Sequence, residues 1–97
     1  MRQIWKWTLK DGEMVIQAPI ERFLTAQMQH GEIAVWGLVD TRKPDVEWLI
    51  YAVGTGQPLL DSMRGEYLGT VQMLDGLLIG HVFAQKVYDG GCETGWM

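Results

Sequence analysis

Two apolar, strand-forming runs, Tyr67 to Leu74 and Leu77 to Ala84, are separated only by Asp75-Gly76. A two-residue type I′ turn needs positive φ at both central residues, which Asp and Gly tolerate, so this spacing predicts a β-hairpin. The rest of the chain is organised around it.

Gln3 to Lys10 alternates, with Trp5, Trp7 and Leu9 on one face and Ile4, Lys6, Thr8 and Lys10 on the other, the period of a strand. Asp11-Gly12 then leads into Glu13 to Ala18, where Met14, Ile16 and Ala18 share a face. These two segments are expected to pair as a first hairpin, which Pro19 ends because it cannot donate to a ladder. Ile20 to His30 carries two patterns at once. Ile20, Phe23, Leu24 and Met28 are spaced for a short amphipathic helix, whereas Arg22 to Gln29 also alternates. A strand is favoured, because His30-Gly31-Glu32 is a compact turn into the clear strand Ile33 to Asp40. Gly37 inside that strand marks a bulge or a close approach.

Thr41 to Asp45 is a polar loop. Glu47 to Val53 is a nearly continuous apolar run, expected at the centre of a sheet. Gly54-Thr55-Gly56-Gln57-Pro58 ends it, and Leu59 to Arg64 is loop or a single turn. Strands at intervals of about 8 to 12 residues predict an all-β domain over 1–88: a small antiparallel sandwich, roll or part-open barrel of six or seven strands. Residues 89–97 are glycine-rich and read as a flexible tail, on which Cys92 and Trp96 stand.

At 97 residues the chain has room for one core, and five Trp, three Tyr and two Phe must share it or meet a partner. Self-association into a homo-oligomer is one way to use the surplus. The net charge of −4, from twelve acids and eight bases, opposes direct nucleic-acid binding, which needs clustered Lys and Arg. The acids fall mostly at turns and strand ends, as a solvated rim does, rather than in the dense face of a DNA mimic. A single cysteine leaves no intramolecular disulfide and fits a reducing compartment. No apolar run approaches the roughly 18 residues that span a bilayer, so no membrane partner is expected.

Few residues suggest chemistry. His30 sits at a turn. His81 shares a strand face with Ile79 and Phe83 and would need a partner carboxylate or nucleophile to act in catalysis. Histidines and acids show no metal-ligand spacing, and no cofactor motif is present. Gly54-Thr55-Gly56 lacks the Lys and the following helix of a phosphate loop, although its backbone amides offer a small anion-binding concavity. Cys92 and Ser62 have no activating context. Trp36, Tyr67 and the other aromatics are of the types that anchor interfaces.

Ile4-Trp5-Lys6-Trp7, Tyr51 with Gly54-Thr55-Gly56 and Pro58, Gly65 to Gln72 and His81-Val82-Phe83, in that order, resemble a family of short uncharacterised proteins encoded by tailed bacteriophages and prophages. Members often carry a histidine between the last glycine and the proline, where this chain has Gln57. The resemblance implies a phage accessory protein in the bacterial cytoplasm and carries no catalytic residues with it.

The expected function is therefore non-enzymatic: binding a host protein or complex, with inhibition of a bacterial defence system as the purpose. The alternative is a homo-oligomeric sponge for a nucleotide signal; a minor virion component is a third reading. Gly54, Thr55, Gly56, His81, Trp36 and Tyr67 are the candidate ligand- or partner-binding residues.

Overall fold

The computed structural model describes residues 1–87. Over them the chain forms seven strands: β1 Arg2–Thr8, β2 Glu13–Ala18, β3 Ile20–Gln29, β4 Glu32–Asp40, β5 Val46–Gly54, β6 Glu66–Met73 and β7 Leu78–Lys86. They make two antiparallel sheets, of three strands in the order β1-β4-β3 and of four in the order β2-β5-β7-β6. The class is all-β, and among the expected architectures it is the two-sheet sandwich. The predicted tail, with Cys92 and Trp96, lies outside the described residues.

Each of the three Xaa-Gly pairs turns the chain with positive φ at both positions: Asp11 and Gly12 at 55° and 80°, His30 and Gly31 at 52° and 80°, Asp75 and Gly76 at 55° and 89°. They do so to different ends. His30-Gly31 joins β3 to β4 as a tight hairpin, with Gln29 opposite Glu32. Around Asp75-Gly76 the Leu77 amide donates to the Leu74 carbonyl at 3.0 Å. Leu74 itself has φ of 52°, so the ladder stops at Met73–Leu78 and the loop is four residues, 74–77, rather than two.

The expected first hairpin does not form. Lys10 and Glu13 make one isolated bridge, after which β1 pairs with β4 and β2 with β5. The Leu9 amide donates to Ile33 in one sheet, and the Gly12 carbonyl accepts from Ala52 in the other. The turn is present, but it carries the chain across the sandwich. Trp5, Trp7 and Leu9 thus come to face Met14, Ile16 and Ala18 through the core instead of lying beside them. Pro19 makes the return crossing in a single residue; its carbonyl accepts from the Asp40 amide.

β3 is a strand, and its double pattern has a cause. Register irregularities fall between Ile20 and Arg22 and between Phe23 and Thr25. The extra residues leave Ile20, Phe23 and Ala26 three apart yet all turned to the core, which imitates helical spacing. Gly37, opposite Phe23, is a close approach: a Cβ there would stand 3.0 Å from the Trp7 ring. β5 is central, flanked by β2 and β7. On the far side β6 runs against β3, and Gly69 (φ 155°) lets the backbones meet, since a Cβ would lie 3.3 Å from the Ala26 carbonyl oxygen. The sandwich is thereby closed along β3–β6 and open where β1 and β2 diverge.

Between the sheets, Val35, Val39, Ile50 and Val82 are the largest fully buried side chains. An aromatic line runs beside them: Trp5–Trp7 at 6.2 Å, Trp7–Phe23 at 6.4 Å and Phe23–Trp48 at 5.0 Å between ring centroids. Ile50→Ala leaves a void at the centre of this core and is expected to cost about 2–5 kcal/mol in urea unfolding, without change of fold.

Asp40, 5% exposed, closes β4. Its Oδ1 accepts from the Arg42 backbone amide at 3.0 Å and from Arg42 Nε at 2.9 Å, while Oδ2 accepts from the guanidinium at 2.7 Å. The Arg42 side-chain and backbone hydrogen bonds hold this carboxyl well below its ordinary value near 3.8. The ionised form thus contributes stability that is complete above that ordinary value and is lost as pH falls through the folded-state value. Asp40→Asn is expected to flatten the fall of unfolding free energy below about pH 4. An acid limb as steep as that of the wild type would contradict it.

Candidate functional site

Five of the six residues singled out in the sequence come together. β5 ends at Gly54 opposite Gly80, one position from the Val53–His81 pair, so the turn that follows lies over His81. Thr55 Oγ1 is 2.7 Å from His81 Nε2. On the other side His81 Nδ1 is 3.1 Å from Oγ1 of Thr70, which is directly opposite His81 on β6. Thr70 Oγ1 in turn meets the Tyr67 hydroxyl at 2.5 Å. Three residues apart on a regular strand, Tyr67 and Thr70 would face opposite ways. The register shift between Tyr67 and Gly69 puts both on the outer face, away from Val71 and Val82 in the core.

Trp36 is elsewhere. It lies on β4 of the other sheet, between Lys6 and Thr25, and shares nothing with this cluster.

The cluster is a chain of hydroxyls around one imidazole. A neutral imidazole offers one donor and one acceptor, and each threonine hydroxyl can take the complementary role. No carboxylate or thiol is bonded to His81 among the described residues. These hydrogen bonds tie the Thr55 turn to β7 and β6. Beside it, Tyr51 stacks on Phe83 at 5.5 Å, and Tyr67 meets Phe83 edge-on at 5.8 Å. The segment 57–65 crosses this aromatic row. Gln85 pins it there by accepting from the Arg64 amide and donating to the Ser62 carbonyl, both at 2.8 Å, while the Tyr51 hydroxyl accepts from the Gly65 amide.

The other side of the Thr55 turn faces a groove of about 770 Å³ at the end of the sandwich. There the Asp11-Gly12 turn, Gly31, the Gly54–Gln57 turn and the 74–77 loop converge. Leu9, Ile33, Val53, Met73 and Ile79 give it an apolar lining. Asp11 and Glu32 stand on one side, Leu77 and Leu78 on the other. The concavity that Gly54-Thr55-Gly56 offers to an anion is filled from within: the Gly54 amide donates to Gln57 Oε1 at 2.6 Å, and the Gln57 amide donates to the Gly54 carbonyl at 3.1 Å. Gly54, Thr55 and Gln57 therefore serve as groove wall. Gly56, at φ of 88°, serves the turn.

A family model described as a domain of unknown function, DUF7352, matches residues 1–89. The chain belongs to this family. No curated protein and no solved structure matches it. The features of this DUF7352 domain that bear on function are thus the ones its own geometry supplies.

Among the described residues no three His, Cys, Asp or Glu side chains are grouped so as to hold a metal ion. Nor, among these residues, is any helix long and apolar enough to cross a membrane.

The DUF7352 domain holds one feature that the strand pattern hid. Leu74, Leu77 and Leu78 are 67%, 82% and 52% exposed, and Leu77 and Leu78 line the groove. The signal was present in Leu74-Asp75-Gly76-Leu77-Leu78: adjacent leucines on a strand point to opposite faces, so Leu77 and Leu78 cannot both enter the core.

His81→Ala releases the Thr55 turn while leaving the core intact. The expected loss is about 1 kcal/mol of global stability, with faster amide exchange at Gly56 and Gln57. Unchanged exchange at those amides would show that the Thr55–His81 bond does not hold the groove wall.

Proposed function

We propose that this protein is a phage accessory protein that binds a host protein in the bacterial cytoplasm and thereby inhibits a defence system, without catalysis. The observation that carries the binding role is the leucine-tipped groove. Full burial of a leucine side chain is worth about 1.5–3 kcal/mol, and here three stand in water within five residues. Such a stretch, next to an apolar cleft, is the composition of a contact surface. The hydroxyl and imidazole chain stiffens one wall of it, a positioning task that asks for no reaction. The resemblance to short phage proteins supplies the setting and the host factor as target.

The nucleotide-sponge reading gains from the groove volume, which falls within the roughly 300–1,000 Å³ of small-ligand clefts. It loses on charge. The lining contains Asp11 and Glu32 and neither Lys nor Arg, and the Gly54 amide is occupied. A phosphate would meet repulsion where it needs donors.

The test is phage plating on host strains that each carry one defence system, with the protein supplied from a plasmid. Wild type is expected to restore plating on at least one strain. The double variant Leu77→Asp, Leu78→Asp should lose that effect while remaining soluble and folded, because neither side chain belongs to the core. Full activity of the folded variant would remove the leucine tip from the function.

A further inference from the structure

The groove also carries information about the charge of what enters it. Its lining includes two carboxylates and no basic side chain. Glu32 is met from outside the lining by Lys10, at 2.9 Å, with both groups solvated. Asp11 forms no ion pair among the described residues, and neither does Asp75, which lies between Leu74 and Leu77 in the loop that makes the opposite wall. An apolar floor thus has Asp11 on one side, with no ion pair but within the field of Lys10, and Asp75 in the loop on the other, on a chain whose net charge is already −4.

We infer that the groove docks an apolar segment of a partner protein flanked by lysine or arginine. This rests on the leucine-tipped groove being the partner-binding surface. The apolar residues of the segment cover Leu77 and Leu78 and fill the floor between Ile33 and Met73. Its flanking cations meet Asp11 on one rim and Asp75 on the other. Complementary rim charges of this kind mainly set specificity and association rate. They also exclude the competing occupants. A second copy of this chain, placed across a two-fold axis at the groove, would bring acidic rim against acidic rim, Asp11 and Asp75 meeting their own or each other's equivalents. Acidic segments and nucleic acid meet the same repulsion.

The experiment uses the full chain and three labelled synthetic peptides of equal length, built from leucine and lysine, leucine and glutamate, and serine and lysine. Fluorescence anisotropy reads affinity, and amide chemical shifts read location. The leucine–lysine peptide is expected to bind at least about ten-fold more tightly than either of the others and to weaken as salt rises. Shifts should concentrate at residues 11–12, 31–33, 53–57 and 73–80. Asp11→Asn with Asp75→Asn removes both charges while keeping residues that tolerate the positive φ of these turns. In that variant the preference for lysine over glutamate should collapse to within about two-fold.

Equal affinity for the leucine–lysine and leucine–glutamate peptides, shifts centred away from the groove, or a preference that survives in the double-asparagine variant would each overturn the inference. Plating separates the two levels. If the double-asparagine variant retains full anti-defence effect while Leu77→Asp, Leu78→Asp loses it, the surface stands and the charge of its occupant is wrong.

Discussion

At Asp11-Gly12 and again at Pro19 the chain leaves one sheet for the other, and the core exists because of these two crossings. Between them β2 contributes Met14, Ile16 and Ala18 to the four-stranded sheet, while β1 and β3 on either side belong to the three-stranded one. Two apolar faces that would otherwise lie side by side in one twisted sheet are set against each other. The crossings can be short because their backbone groups are taken up at once: Leu9 by Ile33, Gly12 by Ala52, Pro19 by Asp40. Closure on the far side is equally economical. It depends on Gly69 and Ala26, where a Cβ in place of the glycine hydrogen would press on the Ala26 carbonyl.

The outer face of the four-stranded sheet follows from one irregularity. The register shift after Tyr67 turns its ring outward beside Phe83 and brings its hydroxyl to Thr70. Thr70 orients His81, His81 holds Thr55, and Thr55 belongs to the turn that forms a wall of the groove. A strand defect thus fixes the shape of a cleft on the far side of β7. Bulges next to binding regions commonly re-aim side chains in this way.

These relations set what could be read in the chain. Strands, turns and the central place of β5 are written in local period and composition, and they were legible. His81 and Tyr67 share the predicted hairpin, whereas Thr55 reaches His81 only through the pairing of β5 with β7, which no local pattern states. The partners of β1 and β2 were not legible, because a type I′ turn specifies two residues of backbone and says nothing about which strand lies alongside afterwards. β3 imitated a helix for a specific reason, the two bulges that reset its alternation. Trp36 was singled out by residue type alone, and type does not say which sheet a strand joins. The capture of the Gly54 amide by Gln57 was hidden for the opposite reason: it is a local contact, but one made by a side chain whose rotamer sequence does not encode.

The 74–77 loop breaks two local rules together. Leu74 has φ of 52°, a conformation that costs a bulky side chain roughly 1–2 kcal/mol, and the leucines around it remain in water. Asn or Gly at position 74 would relieve the strain, and a polar residue at 77 would relieve the exposure, with no core contact given up at either. Sequences tend to depart from local consistency at functional sites. The same loop places Asp75, an acceptor of positive φ, between leucines. The tip is thereby apolar and anionic together: water solvates the carboxylate but not the leucines, and the proposed partner is the one that suits both. It is on this pairing of strain with exposure, more than on the volume of the groove beside it, that the proposed contact surface rests.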